Sequence, residues 1–541
     1  MSLPSKPILL LALAACLAAV IVQSGDLGSV DTARRLQTTH SFWTSAPAVK
    51  PSDYPGFGLV GRNGRIYSWY GMGQSVLMLP SDILITAAIR LVPALGRHQG
   101  IREVFVSYTV STLVCVLGVL VCARFLLLLG FTMEQSTAGA LTLLFATTFL
   151  HYTQNMMENN LMLLLTLAGF CFQYEWVKTG STRALALGSL ALGANLLTRL
   201  TAGLDLMAAI FFVGLCVCLE SGFSQAAIKR LMRYALVAFP CYALFVAIDR
   251  GYQFYRFGSF TGTYIGIFAQ QYKHVYPGLT PTFPFTGPFW TGFVGPFISP
   301  EKSIFLFDPM LIVTAGMAIL MWGRLSAPVR AFLASTAVLL LAYIAFHARI
   351  SYELMLPAYE KGWAGDVAWG DRYVTTPVQL LAMFSVPLLL RFWASLRGIT
   401  RKAAVAVAAL SVAVQIASII FWCPLEFGQE MTLPKPTFVI GVRFANIVAA
   451  LAGKTKAWGL SNYLTEKSPH SVIPYFYPIW SIRESTIPHF AALTLVGAWF
   501  LLMVILTGVL FRIYSLCKAI QGRRLGFEQN RNFMVGVGES I

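Results

Sequence analysis

Pro7 to Gln23 reads PILLLALAACLAAVIVQ, and Gly25 to Trp43 follows as GDLGSVDTARRLQTTHSFW. An uninterrupted apolar run of this length is a membrane-span candidate. The segment after it has almost no spacer, so Asp26 and Asp31 are expected close to a membrane surface. Asp31 is expected to cap a helix that starts at Thr32. On that helix Ala33, Leu36 and Trp43 point one way, and Arg34, Arg35, Gln37 and Ser41 point elsewhere. The pattern predicts a short amphipathic helix on the bilayer, with a carboxylate at its start and two cations one turn on. A carboxylate beside cations at that height suits a reaction between a phosphate-linked lipid and a polar acceptor. A solvated cap with ordinary interfacial charges is the plainer reading. Lys6 before the run looks like a signal sequence, and Leu13-Ala14-Ala15-Cys16 like a lipoprotein cleavage site. Retention as a first transmembrane helix is expected, and either outcome leaves Asp31 outside the cytoplasm.

Working outward, the 541 residues are 57% hydrophobic and only 12% charged, about half the charge of a soluble domain. Repeated apolar runs of about 20 residues then predict an all-α polytopic membrane protein. The net charge of +17 is scattered between those runs, which points to basic loops and membrane lipids and not to nucleic acid. Most of the nine cysteines fall inside the runs, as Cys115, Cys122, Cys216 and Cys218 do, and Cys423 stands alone near an outer boundary. No disulfide framework is expected.

About twelve spans are expected: Pro7–Gln23, then near Val104–Leu129, Ala138–Tyr152, Asn160–Tyr174, Leu185–Leu197, Leu204–Leu219 and Tyr234–Ile248. The later ones lie near Phe307–Trp322, Ala331–Phe346, Pro377–Leu390, Ala403–Phe421 and Ala491–Phe511. Ile83–Leu95 is expected as a second surface helix in the first outer loop. Short loops bearing Lys178 and Arg183, Lys229 to Arg233, Arg324 and Arg330, and Arg391 to Lys402 are basic, as is the tail with Arg512 to Arg524. This places them and both termini in the cytoplasm. The long loops 25–102, 251–301 and 349–375 and the segment 424–488 then face outward. Residues 1–423 form the expected core, and 489–541 the last span and basic tail.

The outer loops carry the candidate chemistry. Tyr252–Phe307 is dense in aromatics with Lys273, His274 and Lys302 among them. Tyr352–Tyr373 sets Glu353, Lys361, Asp366, Asp371 and Arg372 beside Trp363 and Trp369. Rings pack on sugar C–H faces while carboxylates bond hydroxyls. An interfacial aromatic belt also explains Trp and Tyr; it explains Asp371-Arg372 less well. Arg199, at the outer end of a span, suits either a phosphate or a snorkelling anchor. His151 and Glu158 are candidates for an acceptor or metal site, or simply the polar end of a helix hairpin. The sequence has no P-loop, His-Glu-x-x-His or Cys-x-x-Cys motif.

Four stretches resemble the bacterial members of the GT-C superfamily of integral membrane glycosyltransferases, relatives of protein O-mannosyltransferases and of the lipid A aminoarabinose transferase. Asp31-Thr-Ala-Arg34 is similar to the acidic motif of the family's first outer loop. Gly64-Arg-Ile-Tyr-Ser-Trp-Tyr-Gly-Met-Gly-Gln-Ser, running on to Pro80, looks like its second motif. Phe297-Ile-Ser-Pro-Glu-Lys-Ser-Ile-Phe305 resembles a Ser-Pro-x-x-Gly-Leu-Phe turn, and Gly370-Asp-Arg-Tyr373 a Gly-Pro-Arg-Tyr turn. Asp371 stands where proline is usual. Trp69 and Tyr70 stand where many relatives place a lysine that meets the donor phosphate.

The resemblance implies a GT-C-like fold in a bacterial inner membrane and a site on the periplasmic face. It implies a polyprenyl-phosphate sugar as donor and a glycan, lipid or protein as acceptor. Asp31, with Asp26 as runner-up, is implied as general base in an inverting transfer. Arg34, Arg65, Arg199, Lys302 and Arg372, with Tyr67 and Asp371, are candidates for the donor phosphate and sugar. No cofactor is required, and a divalent metal is optional because family members differ. Two other classes also accommodate the chain: a lipid or glycan transporter, which should show repeats or midplane charges, and a non-catalytic assembly partner.

Overall fold

The computed structural model describes residues 5–50, 57–98, 100–280, 282–354, 361–365, 368–422, 424–430, 433, 435–454, 474–483 and 488–538. About three quarters of the chain is helical. Among the described residues the sheet is a single hairpin, β1 (Gly58–Val60) antiparallel to β2 (Ile66–Ser68). The helices run α1 (Ser5–Val22), α2 (Val30–Ser41), α3 (Gly73–Leu91), α4 (Ile101–Leu128), α5 (Met133–Phe145), α6 (Phe149–Gln154), α7 (Asn159–Thr179), α8 (Thr182–Leu196), α9 (Gly203–Ser221) and α10 (Gln225–Phe257). They continue as α11 (Tyr264–Tyr272), α12 (Phe289–Ile298), α13 (Ile304–Phe307), α14 (Met310–Met321), α15 (Ala327–His347), α16 (Thr375–Ala382), α17 (Ser385–Arg391) and α18 (Gly398–Ile420).

By length and composition, seven helices among the described residues are able to cross a membrane: α3, α4, α9 with the turn before it, α10, α15, α18 and the terminal helix from His489. Five more apolar stretches are shorter, among them α1, α14 and the pair α16–α17. The expected spans over α5, α7 and α8 fall in neither set. α5 stops at Phe145, because Asp308 accepts the Thr148 N–H at 2.7 Å and its hydroxyl at 3.0 Å and so fixes a break before α6. The segment expected as a separate surface helix, Ile83–Leu95, corrects to the second half of the continuous helix α3, which ends at Leu91, and the start of the 3-10 helix Pro93–Arg97.

α1 is buried on two faces. Leu11, Ala15, Ala18 and Ala19 join the main core, while Ala14, Leu17 and Ile21 pack against Val509 and Ile513 of the terminal helix. An all-round apolar helix has no polar face to spare, so it sits inside the bundle. At the centre four fully buried rings from four helices, Phe125, Phe170, Phe212 and Phe332, lie 4.9–6.3 Å apart. Such a cluster locks α4, α7, α9 and α15 together by edge-to-face packing. Their polar ends converge on one side of the bundle, where α2 and the hairpin sit.

α2 is held there by specific bonds. The Thr32 hydroxyl donates to the Met156 carbonyl at 2.7 Å, and the Gln74 amide donates to the same oxygen at 2.9 Å. The Thr39 hydroxyl donates to the Ser75 carbonyl at 2.9 Å, and the Ser75 hydroxyl to the Arg35 carbonyl at 3.0 Å. Asp82, fully buried in α3, accepts from the Trp43 indole at 2.8 Å and pairs with His40 at 2.8 Å. This is a helix docked on protein, where a helix lying on lipid was expected. Arg443 caps α18, donating to the carbonyls of Ala417, Ser418 and Phe421 at 3.1–3.2 Å while pairing with Glu426.

Candidate active site

Ser29 is the N-cap of α2, its side-chain oxygen accepting the Thr32 N–H at 3.2 Å. Asp31 is therefore not the cap, as the sequence suggests, but lies in the first turn with its carboxylate free to look outward. Its Oδ1 accepts from the Tyr70 hydroxyl at 2.6 Å, and its Oδ2 from Arg372 at 3.3 Å. The Asp31 side chain remains 23% exposed.

Behind this pair lies a buried ionic cluster. Glu158, at the start of α7, pairs with Arg199 at 2.5 Å and with Arg35 at 2.9 Å, and Arg372 acts on it electrostatically. Burial alone raises the Glu158 carboxyl; Arg35, Arg199 and Arg372 outweigh burial and hold it well below the usual carboxylate range. Arg35, expected to point away from the apolar side chains of α2, is only 4% exposed. It lies one turn from Asp31, so both share a face of α2, and its guanidinium stacks 4.4 Å over the Tyr70 ring. Arg199 and Arg372 both lie over the Tyr373 ring, at 5.0 and 5.4 Å. The opposite face of that ring stacks with His347 at 4.5 Å.

Two glycines explain why the loops meet so closely. At Gly71 a Cβ would stand 2.4 Å from the Leu197 carbonyl and 2.5 Å from that of Thr198. Its absence, with the Gly73 N–H donating to the Leu197 carbonyl at 2.8 Å, seats the Tyr70 loop on the corner that carries Arg199. Gly365 has φ +78°, and a Cβ there would strike the Arg372 side chain at 2.4 Å. The Arg372 carbonyl accepts from Asn159 at 2.6 Å, which ties this turn to the head of α7.

Lys302 does not reach Asp31. It is 5% exposed and donates to the Ala368 carbonyl at 2.7 Å, joining the Phe297–Phe305 turn to the turn of Arg372. Asp371 sits above Lys302, 4% exposed, and its Oδ1 accepts the Tyr373 N–H at 3.1 Å. Burial pushes its carboxyl up to about 7, against that N–H and Lys302. The folded chain thus keeps a proton that the unfolded chain releases near pH 4. Stability from this group falls as pH rises from about 4 to about 7. Asp371→Asn is expected to abolish that fall, so wild type and variant, melted in detergent, converge near pH 4 and diverge by pH 8 with the variant higher. Parallel curves across this range would remove the effect.

The other candidates lie elsewhere. Asp26 accepts from the Tyr475 hydroxyl at 2.7 Å. Arg34 stacks 4.9 Å over Phe57. Arg65 is exposed on the hairpin, and Tyr67 packs edge-on to Tyr255 and Phe257. His151 is buried, with its ring nitrogens beside the Ser418 carbonyl at 3.3 Å and the Asn155 amide at 3.0 Å. Asp366 and Cys423 lie outside the described residues. Among the described residues no three His, Cys, Asp or Glu side chains gather as a metal cage. The eight described cysteines are free thiols. Tyr70 and Arg35 are the members of the cluster that sequence reasoning missed.

No protein-family model matches the chain, and no curated protein matches it. Among solved structures it is similar to the archaeal oligosaccharyltransferase AglB from Archaeoglobus fulgidus, solved with an inhibitory peptide and a dolichol-phosphate. The identity is 13% and the TM-score 0.43, over 77% of this chain and 56% of that one. The chain thus spans little more than half the length of that structure's chain.

Proposed function

We propose that this chain is a membrane glycosyltransferase that moves a sugar from a polyprenyl-phosphate donor to a hydroxyl or amine of a glycan, lipid or protein acceptor. The single observation that carries the reading is convergence. Asp31, Tyr70 and Arg372 come from three of the four family-like stretches, and Tyr70 and Arg372 both bond to Asp31. Lys302, from the fourth stretch, braces the turn of Arg372. The order of those stretches along the chain does not by itself require them to meet.

The chemistry follows from the charges. Asp31 takes the proton of the acceptor as its oxygen or nitrogen bonds to the anomeric carbon. The bond from that carbon to the phosphate oxygen breaks on the opposite face, so configuration inverts. The lipid phosphate leaves as an anion, stabilised by Arg372 and Arg199. Three guanidiniums, of Arg35, Arg199 and Arg372, face two carboxylates, of Asp31 and Glu158, leaving one net positive charge for a phosphodiester monoanion. Residues 1–423 would form the catalytic core of this enzyme and 424–488 its outer segment.

The reading also requires the cluster to face away from the cytoplasm. His274 and Lys518 are both exposed. In a cysteine-depleted background, His274→Cys is expected to react with an impermeant thiol reagent added outside, and Lys518→Cys only after the membrane is opened. The reverse pattern sinks the site assignment. The decisive experiment is an assay of purified protein with polyprenyl-phosphate sugars and an envelope extract as acceptor. Donor-dependent transfer is expected, and none with any such donor would overturn the proposal.

A further inference from the structure

Resting on the glycosyltransferase reading, we propose that Tyr70 is a positioning residue that divides the labour of the Asp31 carboxylate, holding Oδ1 so that Oδ2 takes the acceptor proton. The two oxygens are not equivalent. Oδ1 accepts a short bond from a neutral phenol at 2.6 Å, whereas among the described residues Oδ2 has the longer 3.3 Å contact with Arg372. Arg372 is also the cation of the cluster that lies against Asp31, where a departing phosphate would draw on it. Once it turns to phosphate, Oδ2 is the free oxygen and Oδ1 is still held.

Tyr70 is built to stay in place. Its backbone carbonyl accepts from Arg256 at 3.1 Å, and its N–H donates to the Ser68 hydroxyl at 3.3 Å. Arg35 covers its ring at 4.4 Å and is itself pinned by Glu158 at 2.9 Å. Gly71 fixes the next residue against the Arg199 corner. Burial foremost, and then the Asp31 charge, drive the phenol pKa well above its ordinary value, so it remains a donor throughout the working range. The chain Glu158, Arg35, Tyr70, Asp31 therefore links the buried ionic cluster to the reacting carboxylate. A tyrosine does here what a lysine at the same motif position would not do. It orients the base without adding a charge that competes for the phosphate.

The test is a double-mutant cycle in the purified-protein transfer assay. Tyr70→Phe keeps the ring under Arg35 and removes only the hydroxyl. It is expected to lower kcat about 10- to 100-fold, the scale of a hydrogen bond to a charged group, with donor KM and melting temperature unchanged. In the Asp31→Asn background the same change is expected to cost nothing further, because the base it orients is gone. Wild-type kcat in Tyr70→Phe overturns the proposal. So does an equal loss in both backgrounds, or a loss that appears in KM with a fall in melting temperature, which would make Tyr70 a structural residue. Absence of transfer by the wild-type protein is a different result: it overturns the glycosyltransferase reading and this proposal with it.

Discussion

On the proposed reading, Asp31→Asn is expected to lower sugar transfer by about 10²–10⁴-fold, the usual cost of losing a general base, with donor binding retained. The amide keeps the shape of the carboxylate and still accepts from Tyr70, so folding is spared. It cannot take a proton from an acceptor hydroxyl. Asp26→Asn is the matched control. Its carboxylate accepts from Tyr475 and its Oδ1 also accepts the Gly28 N–H at 3.3 Å, bonds that shape the turn after α1. Its loss is expected to lower stability more than chemistry. The measurement is the rate with saturating donor for the two variants side by side. A dead Asp26→Asn beside a near-normal Asp31→Asn would exchange their roles. Full activity in both would move the base elsewhere.

Glu158→Ala destabilises the folded protein by about 3–5 kcal/mol, the cost of removing one partner from a buried ion pair. Arg35 and Arg199 would lose the carboxylate they share, and of the two carboxylates in the cluster Asp31, beside Arg372, would remain. Thermal unfolding in detergent reads the effect, and replacing Arg35 with Met in the same chain should recover part of it. Unfolding at the wild-type temperature would show that the cluster contributes little. The pH dependence has a definite sign. The folded Glu158 carboxyl lies below its unfolded value. Its stabilisation is therefore complete above the ordinary glutamate range, about 4.3, and is lost progressively as pH falls from there to the depressed folded value. Wild type should still unfold normally at pH 5.

Much of the helical class was legible because apolar runs of span length leave few alternatives. The breaks were not. Ala138–Tyr152 looks like one span, and only the remote Asp308, 160 residues away, shows why it ends early. Asp31 stood out because it follows a span and opens a helix, and Arg372 and Arg199 because cations at span ends invite explanation. Glu158 looked like the polar end of a hairpin, since its partners lie at positions 35, 199 and 372 and only the fold gathers them. Arg35 was placed with Arg34 as a cation one turn from the carboxylate, away from the apolar face, and not as a buried partner of a remote acid. The four-residue spacing from Asp31 was the available sign that it shares the carboxylate's face. Tyr70 was read as a missing lysine, and nothing local to its sequence shows that its hydroxyl reaches α2.

The turn after α1 is stitched to residues that come very late in the chain. The Tyr477 N–H donates to the Gln23 carbonyl at 3.0 Å, the Trp480 indole to the Ser24 carbonyl at 2.7 Å, and Tyr475 to Asp26 across 449 positions. A ribosome adding roughly 5–20 residues per second makes Tyr475 about 20–90 s after Asp26. During that interval the loop that carries the carboxylates lacks these last fastenings. The turn after α1 is thus complete only once Tyr475, Tyr477 and Trp480 have been made, and a nascent chain halted before Tyr475 would carry Asp26 without its phenol partner.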